Sequence, residues 1–196
     1  MYRYFNFQYF LLDTYVGYFL QVLPIAVLAG CLALRHRRRH TLPGEKPRQQ
    51  LLWFVFAAYL AALLTLTLLP HGLLRTFWYL LFFGRDSGWT LDLSFGGISL
   101  IPDFFFRFRT ENLGNLLLFL PFGVLCPLLQ TEMRWRDAVK CGFFLSLTIE
   151  LLQPFLGRSF DTNDLILNTL GAALGAGFTL LLRRLMAKLK LPKTMR

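Results

Sequence analysis

Residues 51–69 read Leu-Leu-Trp-Phe-Val-Phe-Ala-Ala-Tyr-Leu-Ala-Ala-Leu-Leu-Thr-Leu-Thr-Leu-Leu, a run without a single charge. As a helix rising 1.5 Å per residue it would be about 28 Å long, close to the ~30 Å hydrocarbon core of a bilayer. Working outward, similar apolar runs occupy 14–34, 113–130, 138–156 and 164–182. A soluble domain of 196 residues has no core large enough to bury five of them. Composition agrees: 55% of residues are hydrophobic and only 16% charged, against about 25% charged in soluble domains. The same figures exclude a disordered or collagen-like chain, and three cysteines exclude a disulfide scaffold. The expected fold is an all-α, polytopic integral membrane bundle of five transmembrane helices. Residues 1–50 would form an N-terminal anchor and basic loop, 51–182 the main transmembrane domain, and 183–196 a basic tail.

The net charge of +10 acquires meaning once it is placed along the chain. Arg35, Arg37, Arg38, Arg39, Lys46 and Arg48 follow the first run. Arg134, Arg136 and Lys140 lie between the third and fourth, and Arg183, Arg184, Lys188, Lys190, Lys193 and Arg196 close the chain. The alternate connections hold only Arg3, Arg75, Arg85, Arg107, Arg109 and Arg158. Cytoplasmic loops accumulate Lys and Arg, so the expected topology puts the N-terminus outside and the C-terminus in the cytoplasm. The Arg35–Arg39 cluster then reads as a topology anchor against anionic headgroups, with no nucleic-acid partner. Cys31, Cys126 and Cys141 fall toward the basic, reducing side and read as small apolar packing residues.

The N-terminal MYRYFNFQYFLLDTY lacks the shape of a cleavable signal and reads as an aromatic interfacial segment. Residues 70–112 form the one long connection. Its aromatic patches, Phe77–Phe83 and Ser99–Phe108, are too short to cross a bilayer. They suit amphipathic or re-entrant pieces lying over the outer ends of the helices.

Polar residues concentrate at those same ends. Asn115 stands near the start of the third run. Glu150 and Gln153, three apart, share a face of the outer third of the fourth, with Glu150 about six residues below its end. Asp161, Asp164, Asn168, Gly171 and Gly175 recur at spacings of three and four, one stripe along the fifth. Asp161 suits an N-cap and Asp164 a first helical turn. The glycines suit close helix approach, and Asn115 and Asn168 suit interhelical hydrogen bonds. Glu150 carries most weight, because a charge within the membrane is costly and faces a cavity or a partner. Either a proton or the long Arg158 side chain would offset its cost. Glu150, Asp161 and Asp164 match no metal-ligand spacing, and His36, His40 and His71 lie outside the runs that hold them. No metal or other cofactor is expected. Ser159 lacks the His and glycine elbow of a hydrolase nucleophile.

Asn115–Gly123, Asn-Leu-Leu-Leu-Phe-Leu-Pro-Phe-Gly, preceded by Leu100-Ile101-Pro102, resembles the first signature of VanZ-like membrane proteins. Glu150, Gln153, Arg158, Asp161, Asp164, Asn168, Gly171 and Gly175 resemble the second, E-x-x-Q … R-x-x-D-x-x-D-x-x-x-N-x-x-G-x-x-x-G. Ser99 departs from the polar amide common before Leu-Ile-Pro. The resemblance covers roughly 51–182 and implies a multi-pass protein of a bacterial plasma membrane. Its family is named for an accessory protein giving low-level resistance to teicoplanin, and it has no established reaction. Asn115, Glu150, Gln153, Arg158, Asp161, Asp164 and Asn168 are the ligand-contact candidates it implies.

Three function classes follow. The favoured one is a non-catalytic envelope accessory protein that contacts membrane lipids and a lipid-linked envelope precursor or lipoglycopeptide, with Arg158 on a phosphate. The alternative is a membrane enzyme acting on such a lipid, with Glu150 or Asp164 as acid–base group. A transporter is disfavoured, because the inner halves of the last three runs lack polar lining. Oligomeric state is left open.

Overall fold

In a computed structural model, residues 15–40, 47–84, 88, 90, 94–106 and 110–190 are described. The aromatic N-terminal segment, most of 85–93 and the final residues expected as a basic tail lie outside them. The helices are α1 (Tyr15–His40), α2 (Pro47–Leu68), α3 (His71–Phe83), α4 (Thr110–Leu129), α5 (Trp135–Leu152) and α6 (Thr162–Lys190). All but α3 are long and apolar enough to span a membrane, so the chain is an all-α, multi-pass membrane protein.

Two boundaries depart from the apolar runs for physical reasons. The outer helices continue through Arg35–Arg39 and Arg183–Lys190, because Arg, Lys, Leu and Met are good helix formers whether or not lipid surrounds them. In the other direction, α5 stops at Leu152 and a short 3-10 turn covers Gln153–Leu156. Pro154 disfavours continued α geometry, and Gly157 adopts a left-handed φ of 74° that reverses the chain.

Burial is inverted relative to a soluble protein. Gln21, Thr65, Thr67, Ser146, Glu150, Asn168 and Thr179 are buried, whereas Phe19, Leu23, Leu28, Leu170, Leu174 and Phe178 are exposed. That is the arrangement lipid favours, since polar side chains find partners only inside the protein.

The described chain forms two compact units. The first holds α1, α2, α3 and the turn 152–159. Here α1 and α2 are antiparallel neighbours: Gly30 leaves room for the Phe54 ring, and the Arg37 guanidinium lies 4.5 Å from the Trp53 ring centroid. Helix α3 is too short to cross. Leu74 is buried, the Trp78 indole donates to the Gln21 carbonyl at 3.3 Å, and Phe77, Leu80, Leu81 and Phe82 remain exposed. Part of the long connection expected as amphipathic cover is therefore a docked helix with an apolar outer side.

The second unit holds α4, α5, α6 and a two-residue parallel pairing of β1 (Ile98–Ser99) with β2 (Phe160–Asp161). Helices α4 and α6 run parallel. A Cβ at Gly171 would fall 2.2 Å from the Leu116 carbonyl oxygen, one at Gly175 2.2 Å from that of Leu120, and one at Gly123 2.0 Å from that of Ala172. Backbone thus touches backbone on both sides of the seam, which only glycine permits. Farther along, the Thr179 hydroxyl donates to the Val124 carbonyl, and Arg183 donates to the carbonyls of Pro127 and Thr131. Helix α5 meets α6 at a further glycine, Gly142, against Ala172.

Candidate functional site

At the start of α6 the chain emerges from a tight turn with its first N–H groups lacking helical partners. Asp161 answers one of them: its carboxylate accepts the Asn163 N–H at 2.8 Å, the N-cap expected from the sequence. The Asp161 N–H is itself taken by Glu150 Oε2 at 2.9 Å. Glu150 is only 1% exposed, in the last turn of a spanning helix. Its carboxylate therefore ties the end of α5 to the start of α6, and it stands two residues from the helix end rather than six. Asp164 occupies the first turn of α6, where a carboxylate faces the positive end of the helix dipole.

One turn below Glu150, Ser146 Oγ accepts a hydrogen bond from Asn168 Nδ2 at 3.0 Å, linking α5 to α6 between fully buried side chains. Of the stripe expected from spacing, Asn168, Gly171 and Gly175 lie on the buried side of α6, whereas Asp161 precedes the helix and both it and Asp164 are half-buried. Asn115 is half-buried on α4 and takes no part in these bonds.

Sequence reasoning passed over the next member. Asn163 Oδ1 accepts the backbone N–H groups of Asp103 and Phe104 at 2.9 and 3.3 Å, and its Nδ2 donates to Asp103 Oδ1 at 2.8 Å. The Thr162 hydroxyl donates to the Ser99 carbonyl at 3.1 Å. Together with the β1–β2 pairing, these bonds clamp residues 98–106 onto the N-terminus of α6. Asp103 follows the Leu-Ile-Pro signature directly and Asn163 sits between two noted aspartates, yet their 60-residue separation hides the pairing. The clamped segment presents Ile101 and Phe106 outward, 83% and 89% exposed.

Gln153 and Arg158 belong to the first unit and converge on one carbonyl. Gln153 Nε2 donates to the Thr67 oxygen at 3.2 Å, and Arg158 Nη1 donates to Thr67 at 2.9 Å and to Leu66 at 3.3 Å. These are terminal carbonyls of α2, and a cation there complements the negative end of its dipole. The 3-10 turn thus separates what i,i+3 spacing had put together: Glu150 serves α6, while Gln153 serves α2. Gly96 packs so tightly on the Arg158 carbonyl that a Cβ would fall 1.6 Å from its oxygen. Among the described residues, no three His, Cys, Asp or Glu side chains are grouped to hold a metal ion.

The model of one protein family, VanZ/LLP1, matches residues 54–183. No curated protein and no solved structure matches the chain.

Proposed function

Because the chain belongs to the VanZ/LLP1 family, we propose that it is an accessory protein of a bacterial plasma membrane that holds the polar head of a lipid-linked envelope component. A lipoglycopeptide such as teicoplanin, with a polar head and an acyl tail, is the drug-like counterpart of that ligand. By the distribution of Lys and Arg, the ends bearing Glu150 and Asp161 face outward. The proposed contact residues of the second unit are Asn115, Glu150, Asp161, Asp164 and Asn168; in the first unit, Gln153 and Arg158 are proposed as contacts on their own.

The observation that carries this reading is the burial of Glu150 inside a spanning helix, where a carboxylate is expensive unless it does something. The backbone bond from Asp161 holds it in one orientation. That supports a fixed recognition surface over an acid–base group, which must reach a reacting proton.

The test is labelling of Gram-positive cells by fluorescent teicoplanin and fluorescent vancomycin, with and without this protein. We expect reduced labelling for the lipid-bearing drug only, and loss of that effect in Glu150→Ala at equal expression. Equal labelling by both drugs in the presence and absence of the protein would remove the drug-related role.

A further inference from the structure

Among the described residues of the second unit, two buried side-chain amide atoms lack hydrogen-bond partners: Asn168 Oδ1 and Asn112 Nδ2. The two side chains are 4% and 7% exposed. They belong to the same level of the second unit. Asn112 stands one turn before Leu116 and Asn168 three residues before Gly171, and the Leu116–Gly171 contact sets the register of α4 against α6. Helix α5 reaches that level through Ser146, bonded to Asn168, with Glu150 one turn above. A buried amide that forgoes a hydrogen bond gives up its hydration with nothing in return, so two of them at one level point to a group that serves both.

The open atoms differ in kind. Asn168 offers an acceptor and Asn112 a donor, so the complementary group must donate and accept. A hydroxyl does both. A phosphate only accepts, and it would bring negative charge toward Glu150, Asp161 and Asp164. We infer that Asn112 and Asn168, beside Ser146, form a subsite for a hydroxyl of a neutral polyol or sugar head, entered from the Glu150 end of the second unit. This inference rests on the reading above that the protein holds a polar-headed lipid, and it names the chemistry of the head.

Phosphatidylglycerol and phosphatidic acid share a phosphate and acyl chains, but only the first carries a terminal diol. The experiment is native mass spectrometry of the full chain released from micelles containing equal amounts of the two lipids. We expect retention of phosphatidylglycerol over phosphatidic acid by roughly fivefold or more, as one or two hydrogen bonds would supply. In Asn112→Leu and Asn168→Leu the preference should fall to near unity while circular dichroism stays unchanged. Asn168→Gln, which keeps the amide, should restore part of it. Equal retention of both lipids by the native chain would overturn the inference while leaving the broader lipid-holding role standing. A preference that survives both leucine variants would also overturn it, assigning the amide atoms to enclosed water. Retention of neither lipid would remove both readings.

Discussion

Glu150 Oε2 accepts the backbone N–H of Asp161 at 2.9 Å, joining the last turn of α5 to the residue that caps α6. One carboxylate thereby fixes a turn that would otherwise leave a half-buried N–H without a partner. Leucine in its place removes the acceptor and should lower stability by about 1–3 kcal/mol. Glutamine retains an acceptor oxygen and should lose less. Thermal unfolding of the three proteins in one detergent, followed by intrinsic fluorescence, ranks them. A Glu150→Leu protein as stable as the parent would mean that this bond holds nothing.

The seam between α4 and α6 tolerates no side chain at Gly171 or Gly175, where a Cβ would fall 2.2 Å from a carbonyl oxygen. Gly171→Val and Gly175→Val should give protein that fails to run as a single peak in size-exclusion chromatography. Gly114 lies on α4 with open space around it. There, Gly114→Ala should be neutral or stabilising by up to about 1 kcal/mol, since alanine is the better helix former. Identical behaviour at Gly114 and Gly171 would contradict the packing described for the seam.

Asn163 holds Asp103 and Phe104 through three hydrogen bonds. Its replacement by alanine should release residues 98–106 while leaving the spanning helices in place. Hydrogen exchange is the direct measurement: faster exchange confined to 98–106 is expected. Asn163→Asp should be the more severe change, because it sets a second carboxylate against that of Asp103. Unaltered protection of the segment in both variants would show that the β1–β2 pairing alone suffices.

Arg158 caps the end of α2 from the turn after α5. Arg158→Ala should destabilise by about 1–2 kcal/mol, consistent with hydrogen bonds from a charged donor. Lysine should recover only part, since it lacks the guanidinium fork. If Arg158→Ala leaves the melting temperature unchanged yet weakens retention of phosphate-bearing lipids, the residue serves a ligand and not the helix end.

The topology proposed from the charge distribution puts the turn at Ser159 outside and the far end of α6 inside. In a cysteine-free background, Ser159→Cys should react with a membrane-impermeant maleimide on intact cells. Lys188→Cys should react only after permeabilisation. The reverse pattern would invert the topology.

The spanning helices were legible because a bilayer imposes a length and a polarity on each crossing independently of its neighbours. Leu51–Leu69 therefore announces α2 without reference to any other residue. The Asp161 cap was legible for a similar reason, since its bond reaches only two residues along the chain. The spacing of Asn168, Gly171 and Gly175 likewise marked the buried side of α6. It did not say that Leu116 and Leu120 of a parallel α4 would fill it.

The candidate site itself was half visible. Glu150 and Gln153 looked like partners on one helix face, but Pro154 and Gly157 end the helix between them and send each to a different carbonyl or amide. The pairing of Asn163 with Asp103 and the reach of Arg158 to Thr67 link residues 60 and 91 positions apart. Local patterning encodes which residues are apolar, capped or small, because those properties act within a turn or across a fixed membrane thickness. Which carboxylate meets which N–H is decided when distant segments pack, because hydrogen bonds act over about 3 Å and only the folded chain brings the two groups that close.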